Sequence, residues 1–357
     1  MAETHLVAIY PELPKLELQL RMSEFPDLMQ EKLETVYLGG GTPAMLGVEG
    51  IKSLVNGINQ VFPLRDIKEW TVEMSPAHMD EEMLAAFREA GVNRLSIGVQ
   101  SFCDQTLQRI GRRHSIQDAL DAVRMAKNQG FKNIGVDLIA GLPGVHAAEW
   151  SETLEQALAL ELPHLSVYAL IVEEGTPMAH QIGLGKVVIP DDDSVLDTLA
   201  ATEGVLKGAG YERYEISNYA QPGCACEHNV GIWRGNDFLG LGPASSSRMG
   251  SRRWTNNSSL ADYMESILQN NLPPREEDTL DPADDALERV TFALRLNEGF
   301  DPYAVAARFP ILGDKADAWE RHLEACARQG LVERGGVRWR LTSRGREVCD
   351  AVIRDIF

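Results

Sequence analysis

The sequence predicts an α/β fold: a parallel sheet covered by helices, followed by a smaller winged-helix-like domain. Three observations predict it. Between residues 35 and 170, short apolar runs alternate with amphipathic segments in the order βαβαβαβα, joined by short turns rich in Gly and Pro. Polar residues recur at the points where those strands end. After residue 285 the pattern changes to three helices, a hairpin turning on Gly335-Gly336, and a last helix.

Taken in order, residues 1–34 carry the weakest pattern. A short strand over 6–10 is interrupted by Pro11 and Pro14, and a helix over 16–33 breaks near Pro26. Val36 and Leu38 then mark a strand over 35–38, which runs into Gly39-Gly40-Gly41-Thr42-Pro43. Three glycines in succession, having no Cβ, let backbone approach a ligand or take positive φ. The stretch matches neither GxGxxG nor a nucleotide P-loop, and a tight βα turn accounts for it equally well. A helix follows over 48–61.

The next strand, 68–73, ends at Glu73. Asp80 caps a helix over 80–90, and Gly91 stops it. A strand over 94–100 ends in Gln100 and leads to short helical residues 104–110. A helix over 116–129 is closed by Gly130. A strand over 134–139 contains Asp137, a helix spans 150–160, and a strand over 164–170 enters the loop of Glu173-Glu174. In barrels and open α/β sheets the carboxyl ends of the strands converge on one face, where ligands bind. Each polar residue alone could cap its own turn; one ligand accounts for all of them together.

Beyond the alternating region a helix is expected over 191–206 and a strand over 211–219. Residues 220–250 are unusual, holding Cys224, Cys226, His228, Asn229, Trp233 and Arg234, then FLGLGPASSSRMG. A ligand-facing loop bearing a His and a Trp fits this stretch, as does a plain solvent loop. Cysteines two apart are poorly placed for one tetrahedral ion. A helix over 260–270 precedes a polar, Pro-containing linker over 271–284, and residues 285–357 form the winged-helix-like domain.

Composition bounds the function. A chain of 357 residues is long enough for about two domains. With 34 Lys and Arg against 53 Asp and Glu, the formal charge is −19, which argues against general affinity for nucleic acid or an anionic membrane. No long apolar run or signal-like core is visible, so a cytoplasmic protein is expected. The five cysteines, Cys103, Cys224, Cys226, Cys326 and Cys349, make neither a secreted-domain framework nor a CxxC or CxxxCxxC set.

The stretches TVYLGGGTP, VEMSP, NRLSIGVQSF with IGRRH, VDLIAGLPG, LSVYALIVEEGTP, YEISNYAQPG, HNVGIWRG and FLGLGP occur in this order. On them the chain resembles the radical S-adenosylmethionine family of oxygen-independent coproporphyrinogen III oxidases, most closely its heme-chaperone branch. The resemblance implies a partial (βα)6 TIM-like barrel over 35–270 after a variable segment, 1–34. It implies that Gly40, Gly41 and Thr42 meet the methionine end of S-adenosylmethionine, that Glu73, Gln100, Arg112 and Asp137 also contact it, and that Ile171 lies near the adenine. A zwitterion, ribose hydroxyls and a flat base call for this mix of donors, acceptors and an apolar wall. His228 is implied as a candidate axial heme ligand, with Trp233 beside it.

Two departures stand against the match. The family's CxxxCxxC loop, which holds a 4Fe-4S cluster, has no counterpart, and its first strand is missing or replaced. In the family's GLGPGAHS, this chain reads GLGPASSS, so Ser246 stands in place of a histidine in that cofactor-side motif. Either the chain is a degenerate member or its sequence starts downstream of the true beginning. The expected function is therefore a heme chaperone that binds heme and delivers it to respiratory proteins, with no radical chemistry as written and with membrane proximity only through its clients. The alternative, oxidative decarboxylation of coproporphyrinogen III, requires the cluster motif upstream. Without the first strand, an open sheet edge is expected.

Overall fold

The computed structural model describes residues 9–354 and 356. The chain divides into two compact units, one built from Val36–Met45 and Glu69–Ala225, the other from Met1–Thr35, Leu46–Lys68 and Cys226–Phe357.

The first unit is organised on a mixed sheet. Its strands are β1 (Thr35–Leu38), β2 (Glu69–Met74), β3 (Arg94–Gln100), β4 (Asn133–Ala140), β5 (His164–Ala169), β6 (Glu212–Arg213) and β7 (Asn218–Ala220), in the order β1-β2-β3-β4-β5-β7-β6. Strands β2 to β5 pair in parallel, and β7 then joins β5 antiparallel. The parallel strands read as apolar runs because both their faces are covered: Val72, Leu95, Ile97, Val136, Leu138 and Leu165 are fully buried. Helices Glu81–Ala90, Asp104–Arg109, Ile116–Asn128, Ala147–Ala159 and Asp192–Gly208 supply the cover. Their ends obey local chemistry. The carboxylate of Asp80 accepts from the Met83 amide at 2.7 Å, Gly91 closes the same helix at φ 103°, and Ser115 with Asp118 forms a reciprocal capping box.

Where one strand was expected over 211–219, the structure has a hairpin. Tyr214 N–H donates to the Asn218 carbonyl at 3.0 Å. The Arg213 guanidinium donates to the carbonyls of Glu215 and Ile216, and the Glu215 carboxylate accepts from Ser217 N–H. Those side-chain bonds satisfy a tight turn that an extended strand could not make.

In the second unit, helices Leu13–Glu24 and Gly47–Val61 accompany a three-stranded antiparallel sheet of β8 (Ser246–Met249), β9 (Arg252–Asn256) and β10 (Arg275–Thr279), ordered β10-β9-β8. Strand β10 falls inside the stretch read from sequence as a linker. The strand expected over 6–10 lies mostly outside the described residues, and Tyr10–Glu12 is a short 3-10 turn. The core here includes charged groups. Glu17 and Arg21 are fully buried and 3.1 Å apart. Arg21 also donates to Asn256 at 2.9 Å, while Glu17 accepts from Gly242 N–H, Tyr263 O–H and the Asn256 amide.

The C-terminal part of that unit contains helices Pro282–Arg295, Pro302–Arg308 and Lys315–Arg328, then the hairpin β11 (Val332–Gly335) and β12 (Arg338–Leu341). Val332, Trp339 and Leu341 turn inward, giving the alternation of a wing packed on helices. The last helix, expected to be continuous, is two short ones, Ser343–Glu347 and Cys349–Arg354, because Val348 leaves helical backbone angles. No described helix is long and apolar enough to cross a membrane.

Candidate functional site

A pocket of about 430 Å³ opens in the sheet unit, lined by the ends of consecutive parallel strands and the loops that follow them. Its size lies in the range of small-molecule sites. Of the residues singled out from sequence, Gly41, Thr42, Glu73, Gln100, Arg112, Asp137 and Ile171 line it.

The glycine loop after β1 takes the shape its sequence permits. Gly40 and Gly41 stand at φ 70° and 62°, a region where a side chain is disfavoured. Gly40 does not line the pocket but donates its N–H to Glu73 Oε2 at 3.0 Å. The other carboxylate oxygen of Glu73 accepts from the Tyr37 hydroxyl at 2.7 Å. A Cβ at Gly39 would stand 2.6 Å from the Tyr37 ring and 2.9 Å from the Glu73 carboxyl carbon, so the pair fits only against a glycine.

Gln100 ends β3 with φ 71°, unusual for a residue with a side chain. The cause is a bulge: Ile97 pairs with Val136 but Gln100 with Leu138, three steps on one strand against two on the other. Bulges re-aim side chains at strand ends. A Cβ at Gly98 would meet Gln100 Nε2 at 2.8 Å, so this glycine too makes room within the lining.

Asp137 projects from β4 beside Ser96, whose hydroxyl bonds its two carboxylate oxygens at 3.1 and 3.2 Å. It keeps some surface on the pocket. Even so, burial pushes its carboxyl above the ordinary aspartate range, against the opposing pull of the Ser166 hydroxyl, the Arg94 charge and Ser96. The wall also includes Met74, Ile139, Leu170 and the exposed Ile171.

Sequence reasoning passed over Ser96 and Tyr168, which also line the pocket. The signal was present: Ser96, Gly98 and Gln100 alternate along β3, as residues sharing one face of a strand do.

The pocket lining comes from this unit alone. His228 and Ser246 belong to the other unit. His228 lies on the helix Glu227–Trp233, with its Nδ1 2.9 Å from the Thr35 hydroxyl. Trp233 packs edge-on against Phe292, with ring centres 5.5 Å apart, and under the Arg295 guanidinium. Ser246 heads β8, its hydroxyl 2.9 Å from that of Thr255 on β9.

The donor set fits S-adenosylmethionine. Acidic acceptors, a guanidinium, the end of the glycine loop and an apolar wall surround one cavity. Among the described residues no three His, Cys, Asp or Glu side chains come together to hold a metal ion.

Comparisons with known proteins agree with this architecture. Residues 14–157 match the Radical SAM superfamily and residues 280–348 the HemN C-terminal domain. The heme chaperone HemW of Mycobacterium tuberculosis is 34% identical over 326 residues, covering 91% of this chain and 80% of that protein. That of Bacillus subtilis is 32% identical over 319 residues, covering 89% and 83%. The solved structure of coproporphyrinogen III oxidase (HemN) from Escherichia coli superposes with a TM-score of 0.82 at 23% identity, over all of this chain and 84% of that one, a likeness of fold. With its strand ends gathered on one pocket and relatives matched along most of their length, the chain belongs to the heme chaperone HemW family of the radical SAM superfamily.

Proposed function

We propose that the pocket takes S-adenosylmethionine, and that the chain binds heme and passes it to heme-receiving proteins of the respiratory chain. The observation that carries the first part is the convergence of Thr42, Glu73, Gln100, Arg112 and Asp137 on one cavity. In this reading the Arg112 guanidinium meets the ligand's carboxylate in a charge-assisted pair, the Asp137 carboxylate accepts from ribose hydroxyls, and Ile171 with Leu170 faces the adenine. Equilibrium dialysis with S-adenosylmethionine tests it: micromolar retention that Arg112→Ala and Asp137→Ala both weaken supports the reading, and no retention by the wild-type chain overturns it.

The second part rests on relatives that are named heme chaperones and on His228. A hydrogen bond to one ring nitrogen fixes the orientation of an imidazole, as second partners do for metal-bound histidines. Heme titration followed by optical absorption tests this part. The expected result is a Soret shift in the wild-type protein that His228→Ala changes or abolishes. No shift, or the same shift in the variant, would remove His228 from the role.

A further inference from the structure

We infer that Tyr37 is a positioning residue of the cofactor pocket, acting through Glu73 to set the glycine loop. The inference rests on the proposal that this pocket binds S-adenosylmethionine, and it gives Glu73 a role other than that of a simple ligand contact.

Four features of the loop meet at one carboxylate. The Tyr37 hydroxyl donates to Glu73 Oε1 at 2.7 Å, and Gly40 N–H donates to Oε2 at 3.0 Å. Gly39 has room for no Cβ between the Tyr37 ring and the Glu73 carboxyl. Gly40 and Gly41 hold the positive φ values that turn the chain from β1 toward Thr42. Tyr37 itself does not line the pocket, whereas Glu73, Gly41 and Thr42 do.

The geometry assigns an order of action. A carboxylate on a strand end can swing about its side-chain torsions, and each ordered torsion costs entropy. A phenol on the neighbouring strand β1 pins one of its oxygens. The pinned carboxylate then presents its second oxygen to Gly40, and that bond fixes a loop of three glycines which would otherwise sample many backbone conformations. Ligand atoms entering beside Gly41 and Thr42 meet a loop already in place, so less ordering remains to be done on binding. Phenylalanine at position 37 would fill the same space and remove only the oxygen that pins Glu73.

A double-mutant cycle on S-adenosylmethionine affinity tests this, using equilibrium dialysis on wild type, Tyr37→Phe, Glu73→Ala and the double variant. Tyr37→Phe is expected to weaken binding by roughly tenfold, the worth of a hydrogen bond to a charged group. In the Glu73→Ala background the same change is expected to cost nothing further. Unchanged affinity in Tyr37→Phe, or an equal loss in both backgrounds, would overturn the inference, because a purely structural phenylalanine defect would not depend on Glu73. Amide hydrogen exchange in the ligand-free protein gives the second readout: residues 39–42 should exchange faster in Tyr37→Phe and in Glu73→Ala, with strand β3 unaffected. If wild type fails to bind S-adenosylmethionine, the pocket reading falls. The exchange measurement then decides the Tyr37 inference alone, and equal protection in all four proteins would overturn it.

Discussion

Asp137→Asn should make the protein more stable and a worse ligand binder, and the two effects have one cause. Asp137 is held among Ser96, Ser166 and the apolar strands of the sheet, where burial penalises its charged form more than its hydroxyl partners and Arg94 support it. A carboxyl whose folded-state pKa lies above its unfolded value contributes stability that is fully present below the unfolded value and lost as pH rises through the folded one. At pH 7 Asp137 therefore subtracts from stability. Asparagine has the same shape, keeps one oxygen as acceptor for the Ser96 hydroxyl and carries no charge. Its gain should be about 1 kcal/mol, in the range of single stabilising changes, which for a unit of this size is a melting shift of roughly 2–4 °C.

The assay is thermal melting of both proteins from pH 8 to pH 4. The advantage of the variant should be largest near neutrality and close as pH falls toward the ordinary aspartate value of 3.8. Over the same pH range near neutrality, S-adenosylmethionine affinity should fall roughly ten- to hundredfold, the cost of losing charge-assisted bonds to ligand hydroxyls. A variant less stable than wild type at pH 7, or a stability difference that does not change with pH, would refute the reasoning. Either result would mean that Asp137 is satisfied in the unliganded protein and that burial is not its dominant influence.

Three other outcomes follow from the second unit. The hydrogen bond from Arg275, aided by Arg252 against the opposing effect of burial, holds the Glu24 carboxyl down at about 2; its folded pKa is depressed, so its stabilisation is present above 4.5 and lost as pH falls toward 2, and Glu24→Gln should destabilise at pH 7 in urea melts, with the difference vanishing in acid. Arg21→Met leaves buried Glu17 without its cation and should cost about 3–5 kcal/mol, and Glu17→Met with Arg21→Met together should not recover it, since the double variant also leaves the buried Gly242 N–H and Tyr263 hydroxyl without their acceptor; a double variant as stable as wild type in urea melts would count against that account. Gly345→Ala would place a Cβ 1.7 Å from the Leu331 carbonyl oxygen and should cost roughly 3 kcal/mol or more of the C-terminal domain's stability, read as early loss of the near-ultraviolet signal of Trp339.

Much of the sheet unit was legible because its code is local. Strands β1 and β3 fall on the residues expected, since apolar runs bounded by glycine and capping residues leave few other choices. The pocket was legible for a topological reason: parallel strands bring their carboxyl ends together, so Thr42, Glu73, Gln100 and Asp137 had to meet if the strands were read correctly. What sequence hid was polarity used against its usual meaning. Arg275–Thr279 reads as a solvated linker, yet forms β10 because its charges are paired, Arg275 with Glu24 at the end of the helix Leu13–Glu24, and Glu277 and Asp278 with arginines of the neighbouring strand β9. Arg275 and Glu24 are 2.6 Å apart, Glu277 and Arg252 2.5 Å, and Asp278 and Arg253 2.9 Å. Opposite charges on neighbouring strands stabilise a ladder as apolar pairs do. The same logic hid Glu17 and Arg21, charged residues that a periodicity argument places on a surface and that the fold closes over. It also hid the role of Tyr37. Its ring reads as strand apolarity, whereas its hydroxyl reaches a residue 36 positions away through a 2.7 Å bond. Local pattern specifies where a backbone goes. Long-range pairing of polar groups decides what the backbone then holds in place, and in this protein that pairing joins the glycine loop to Glu73.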